Sequence, residues 1–311
     1  TVWSSKRYDK FFEGEKIIGS SLLSKVSAQR LPEDDKDKQE NEFQTLFSLF
    51  KPLVTAIRNG ENQWETLEDL MYERAEIGIK HALDGFGISF DDAVELMRNA
   101  TNLTDEQREQ RDIIIAAVDN IVDFSVAEEY QMVEEFPEIE DIEDDELTEE
   151  LMDELESIFS KYNKTYATTE NLDIEYAMIV AAALSRYNSS TVLMYMTMGD
   201  ERVRPWHRQY EGFTAPKSSF PAWLIPPIEH RCRCFLIEDA ASALGKINAK
   251  AEVPLTPPEW FNPTFKESVA LKGRIFSDEH PYFQIEAQHE DKLLEIAQRI
   301  KSKFIYGSDT D

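Results

Sequence analysis

Apolar positions recur at helical spacing through the first half of the chain. Phe43, Leu46, Phe47 and Phe50 fall on one helical face, and Leu53 to Ile57 continue it past Pro52, which either kinks that helix or starts a second one before the stop at Asn59-Gly60. Trp64, Leu67, Leu70, Met71, Ala75 and Ile79 make the next stripe, ending near Gly85-Phe86-Gly87. A shorter helix is predicted over Asp91 to Ala100. Thr104 with Gln107 reads as a capping box opening a helix through Ile113, Ile114, Ala117, Val118 and Ile121. Val2 to Phe12, mixing aromatics with Lys and Arg, belongs to the same helical third, and the charged run 31–41 predicts a loop or the solvated start of a helix. The stripes differ in length and do not superpose at a fixed period, so no internal repeat is indicated.

The pattern changes in the second half. Leu172 to Tyr187, centred on AMIVAAAL, is apolar nearly all round and predicts a buried helix. Thr191 to Met198 then reads as a strand that meets a turn at Gly199-Asp200. A second strand-like run carries His230, Cys232 and Cys234 at alternate positions, on one face if extended, with Arg231 and Arg233 on the other. Ala240 to Ala249 reads as a short helix or turn. Pro254, Pro257, Pro258 and Pro263 mark an extended crossing anchored by Trp260 and Phe261, and Lys272 to Phe276 reads as a short strand. Glu290 to Phe304 predicts an amphipathic final helix with Leu293, Leu294, Ile296, Ala297 and Ile300 on its apolar side, and Arg299, Lys301 and Lys303 near its C-terminus. The expected fold is therefore α+β: a helical N-terminal half, a small mixed α/β domain, and a C-terminal helix. In residues, this is a helical domain over 1–127, an acidic helical or solvated segment over 128–165, an α+β domain over 166–285, and a terminal helix and tail over 286–311.

Charge sharpens the picture. The 311 residues carry a formal net charge of −28, which excludes a generally nucleic-acid-binding surface, because phosphate contacts need Lys and Arg; any DNA contact has to be local. Sixteen of the acidic residues fall between Glu128 and Glu156, a segment with no Lys or Arg. It reads either as a solvated pair of helices broken at Pro137, with Met132, Val133 and Phe136 before the break and Leu147, Leu151, Leu155 and Ile158 after it, or as an arm that docks on a basic partner. No apolar stretch approaches the length of about eighteen residues that crosses a bilayer, and the start has no signal-peptide pattern; the expectation is a cytosolically made protein without a membrane contact.

Candidate chemistry concentrates between Thr191 and Glu238. Both cysteines and two of the five histidines lie there. Cys232 and Cys234, one residue apart, are poorly placed for a mutual disulfide and read as reduced thiols or metal ligands; with His207 and His230 they form a candidate zinc set. The other reading packs the thiols in a core while His207 bonds to Asp200 or a backbone carbonyl. Arg202, Arg204, Arg208, Arg231 and Arg233 form a basic island, which either meets an acidic or phosphate partner or is neutralised by Asp200, Glu201, Glu211 and Glu229. Trp206 adds an anchor of the kind favoured at interfaces. No nucleophile elbow, phosphate loop, dinucleotide glycine pattern or His-Glu-x-x-His is present. Arg204, His207 and Glu170 compose the one conceivable acid–base set, but carboxylates are plentiful in so acidic a chain, and the expectation is no enzyme.

The ordered run Thr197-Met198-Gly199-Asp200-Glu201-Arg202-Val203-Arg204-Pro205-Trp206-His207, followed by Gly212, Pro226-Pro227 and Cys232-Arg233-Cys234, resembles the signature of the phage Mu F-like minor head proteins, the head-morphogenesis family of tailed phages. Two positions depart from that pattern: Tyr195 stands where the family has Trp, and Thr168-Thr169-Glu170 where it has Arg-Thr-Glu. The resemblance spans roughly Thr168 to Phe283. It implies a structural minor head component inside the capsid near the portal vertex, contacting the portal protein and the major capsid or scaffold protein, acting in procapsid assembly and in DNA packaging or ejection, with local contact to packaged DNA. On that footing Asp200, Arg202, Arg204, Trp206, His207, Arg208, Arg231 and Arg233 form an interaction platform. The rival class is an enzyme carried in the particle, such as an NAD-using transferase-like protein.

Overall fold

The protein is described by a computed structural model, which covers residues 32, 35–99, 101–139, 148–239 and 256–306. The expectations for Val2 to Phe12, Ala240 to Ala249, Leu147 and Pro254 lie outside the described residues. The fold is α+β, with a helical N-terminal half, a small three-stranded antiparallel sheet and a C-terminal helix.

Helix α1 (Lys36–Arg58) starts where Asp35 accepts hydrogen bonds from the backbone N–H groups of Asp37 and Lys38, inside the charged run, and it continues through Pro52. Helix α2 (Gln63–Phe86) ends at Gly87, whose φ of 77° is the left-handed conformation that favours glycine at a helix C-terminus. Ser89 caps α3 (Phe90–Arg98). Thr104 and Gln107 form the reciprocal capping box that opens α4 (Asp105–Glu134). Thr148 caps α5 (Glu149–Ser160), which passes through a π-helical turn, Lys161–Tyr166, into α6 (Ala167–Leu184).

Helix α2 lies at the centre, packed against α1, α4 and α6. It approaches α6 so closely that a Cβ on Gly85 would sit 2.2 Å from the Glu175 carbonyl oxygen; any larger side chain has to push the backbones apart. The C-terminal helix, α7 (Ala287–Tyr306), covers α3 and α4. The core is continuous from Phe43 and Leu70 in these helices to Leu193, Tyr195 and Cys234 beside the sheet. The expected boundary at 127 falls inside α4, which runs unbroken across it.

Buried in that helical layer is an ionic cluster. Arg74 from α2 is fully enclosed and pairs with Glu128 of α4 at 2.8 Å and Glu170 of α6 at 3.0 Å, while Asn171 accepts a further bond from it at 2.9 Å. Glu129 accepts from Asn163 Nδ2, a residue of the π-helical turn, at 3.1 Å. Three carboxyls around one guanidinium leave an excess of negative charge in a dry site. Burial accordingly pushes the Glu128 carboxyl well above its ordinary value and Glu129 up to about 7, against the opposing pull of Arg74.

Strands β1 (Val192–Met196), β2 (Thr214–Pro216) and β3 (Phe235–Glu238) form a sheet in the order β2-β1-β3, both pairings antiparallel, with Leu193 opposite Ala215 and Tyr195 opposite Leu236. Leu193 and Tyr195 point into the core, as period-two alternation requires. Three expectations change. The run 230–234 precedes β3 and is a turn and loop, with Arg231 at a φ of 55°, so alternate facing does not apply there. Residues 272–276 form no strand, because the Asn120 side chain binds the N–H groups of Ile275 and Phe276 and the carbonyl of Phe276, satisfying that backbone without a ladder. The final helix, α7, buries Leu293, Ile296, Ala297, Ile300 and Phe304 but leaves Leu294 54% exposed, one position off the buried stripe.

Candidate functional site

The residues singled out between Thr191 and Glu238 gather into one knot at the end of the sheet. As β1 ends, the Thr197 hydroxyl donates to Glu211 at 2.7 Å, and Gly199 turns the chain with a φ of 68°. Asp200 follows. Its carboxylate accepts the Arg202 backbone N–H and two bonds from the Arg233 guanidinium at 2.8 Å each, and Arg208 donates to its carbonyl oxygen. Hydrogen bonding from Arg233 holds the Asp200 carboxyl below its usual range. A short helix, Pro205–Arg208, with proline at its first position, turns His207 inward and Trp206 and Arg208 outward.

The chain returns through the cis Pro226-Pro227 bond to Glu229. One oxygen of Glu229, Oε2, takes Trp206 Nε1 at 3.0 Å, His207 Nε2 at 3.1 Å and Arg204 Nε at 3.2 Å. The other imidazole nitrogen, Nδ1, faces the thiols, 3.3 Å from Cys234 Sγ and 3.9 Å from Cys232 Sγ. All three side chains are buried, and their ligand atoms lie within 4.8 Å of one another. Burial pushes the Cys232 thiol up, yet hydrogen bonds involving Cys234 and His207 outweigh it and leave Cys232 well below the ordinary thiol range; Cys234 moves the opposite way, raised by that same bond.

His230 does not join this cluster. Its Nδ1 bonds to Asp173 Oδ2 at 2.9 Å, and Asp173 Oδ1 also accepts the Arg231 backbone N–H at 2.7 Å. Asp173, buried in α6, thus pins the turn at Arg231 from below, and Tyr176 one turn along the helix donates its hydroxyl to the Cys234 carbonyl. Burial alone would lower the His230 pKa, but the bond to Asp173 reverses this and raises it. Asp173 was not among the sequence candidates. The signal was shared: Asp173 and Glu175 are the two carboxylates inside the apolar run 172–187, and a buried carboxylate needs a partner.

The five arginines divide. Arg204 and Arg233 are tied to Glu229 and Asp200, as local neutralisation predicts, whereas Arg202, Arg208 and Arg231 are exposed. Glu170 belongs to the Arg74 cluster and also accepts from Tyr282 at 3.1 Å, while Arg204 and His207 hold Glu229 instead, so the acid–base set of Arg204, His207 and Glu170 is not assembled.

The donor set fits a metal. Zinc bonds of about 2.3 Å to sulfur and about 2.0 Å to nitrogen set a tetrahedral nitrogen–sulfur edge of about 3.5 Å, between the 3.3 Å and 3.9 Å separations from Nδ1. A carboxylate on the far nitrogen of the histidine, the place of Glu229, is the usual partner that orients a metal-bound imidazole. A metal ion here would take three ligands from the described residues: His207, Cys232 and Cys234. No protein-family model, no curated protein and no solved structure matches this chain.

Proposed function

We propose that the protein is a structural minor head component of a tailed phage, associated with the portal inside the procapsid, and that the knot between Thr197 and Cys234 is its docking platform. One observation carries this reading. Residues of the head-morphogenesis signature, separated in sequence, bind one another or share a partner: Asp200 holds Arg233, His207 faces both cysteines, and Arg204, Trp206 and His207 meet on Glu229, which lies outside the signature. A signature whose members spend their hydrogen bonds on each other and on one shared partner is a stabilised shape. Its outward residues, Arg202, Trp206, Arg208 and Arg231, are types suited to gripping a partner. Zinc held by His207, Cys232 and Cys234 would fasten that shape as a structural ion. The partners are the portal protein and the major capsid or scaffold protein, with packaged DNA touched locally by the exposed arginines.

Co-expression with the portal protein of the same phage tests the reading. The wild-type chain is expected to co-purify with portal, and the triple reversal Arg202→Glu, Arg208→Glu, Arg231→Glu to lose it while keeping its fold by circular dichroism. Absence of co-purification for the wild type, or turnover of NAD by the purified chain, counts against it.

A further inference from the structure

Beside the knot is a cleft of about 110 Å³ bordered by Trp206, His207, Ile228, Glu229, Trp260 and Phe261. Its two tryptophans are unusual: Trp206 is 42% and Trp260 50% exposed, in a fold that encloses Trp223 completely. Neither exposed ring hangs loose. The Trp206 indole N–H is fixed to Glu229, and Trp260 stacks on Tyr210 at 6.3 Å and 22°. Tyr210 in turn meets Trp223 edge-on at 5.2 Å, and Trp223 meets Phe261 at 5.3 Å, so the Trp260 wall rests on buried aromatics. Two indoles bordering one cleft, each fixed by its own contact, leave little ordering to do on binding.

The cleft also has a polar end. Trp206, Arg204 and His207 all crowd onto Glu229 Oε2, and Oε1 has no donor among the described residues. An acceptor beside aromatic faces is matched by a planar cation, which is attracted to the ring quadrupoles and donates to the carboxylate. The net charge of −28 favours the approach of a cationic side chain over an anionic one.

We propose that this cleft receives an arginine side chain of the partner that docks on the platform, its guanidinium lying against Trp206 and Trp260 and donating to Glu229 Oε1. The identity of that partner as a head protein rests on the function proposed above; the cleft's preference for guanidinium does not.

The test titrates the whole chain, without portal, with N-acetyl-arginine methylamide, following the indole N–H resonances of ¹⁵N-tryptophan-labelled protein. The citrulline analogue, which has the same shape and no charge, is the control. Saturable shifts confined to Trp206 and Trp260 are expected, with the citrulline analogue binding about tenfold more weakly and Trp260→Ala abolishing the Trp206 shift. Shifts of equal size with citrulline, or no shift at either tryptophan, overturn the proposal. A silent titration alongside intact portal co-purification rejects the cleft alone, whereas saturable binding without co-purification rejects the head reading alone.

Discussion

Asp200 and Arg233 stand 33 positions apart in sequence and meet as a doubly bonded pair, Nη1 to Oδ2 and Nη2 to Oδ1, each at 2.8 Å. The pair joins the turn after β1 to the loop before β3, so it closes the knot across its widest sequence separation. Its carboxylate is partly exposed, with a side-chain exposure of 43%, which keeps the contribution modest, while the two-point geometry places it at the upper end of what surface pairs provide. A double-mutant cycle of Asp200→Ala and Arg233→Ala is expected to give a coupling of about 0.5–1 kcal/mol in urea unfolding. Arg233→Lys should recover little of it, because an ammonium cannot span both oxygens. Additive effects of the two alanines would show that the clasp contributes nothing.

Asp173 is predicted to matter more, because it is buried. Removing it takes the acceptor from the His230 imidazole and from the Arg231 N–H at a left-handed turn. Asp173→Ala should cost about 1–3 kcal/mol, the range for leaving a buried donor without its acceptor, because the His230 side chain, 37% exposed, can turn to water. Asp173→Asn, which keeps an acceptor for the Arg231 N–H, should cost clearly less. Denaturant unfolding of both variants measures this, and a near-native Ala variant would contradict it.

Stability should fall as pH rises toward neutrality, through Glu129. Its folded-state pKa, up at about 7 because of burial, exceeds the ordinary value of 4.5. Between those values the folded state keeps a proton that the unfolded chain has released, so the contribution is complete below about pH 4.5 and is lost as pH climbs through 7. Glu128, raised as well, acts in the same direction; His280, lowered to about 4 by burial, acts oppositely between there and its ordinary 6.5. Comparison with Glu129→Gln isolates the one group. The variant should gain roughly 2 kcal/mol on wild type between pH 5 and pH 7.5, measured by urea unfolding at both. Parallel pH profiles would remove Glu129 as the source.

The thiol–imidazole cluster predicts bound metal. Protein purified without chelator should carry about one equivalent of zinc, and Cys232→Ser or His207→Ala should lose it. Chelation should lower the melting temperature of the wild type and leave those variants unmoved. Zinc at trace level only, with no response of wild type to chelation, would leave His207 and the cysteines as plain core contacts.

These features were not equally legible in the chain. Local signals served well: the Thr104 and Gln107 capping box and the glycine stop of α2 depend on neighbours a few residues away, and the structure has both. The knot was legible as a list of residues, but its pairings were not, since Asp173 reaches the 230–231 turn from a helix far upstream. His230 and Cys232 share a sequence spacing yet diverge in space because Arg231 turns the chain between them. The 272–276 segment has the composition of a strand, but Asn120, more than a hundred residues earlier, supplies the hydrogen bonds that a ladder would have supplied. The Arg74 cluster has no local signature: among 61 acidic residues, nothing in the neighbouring sequence distinguishes the few that are buried.

The central claim, that the outward face of the knot is held by the portal, is tested most directly by cross-linking mass spectrometry on intact particles, with a photoreactive residue placed at Arg208 or Arg231. Cross-links from both positions to the portal protein are the predicted result. Particles that contain the chain but link these positions to no other virion protein, or purified heads that lack the chain altogether, would contradict it.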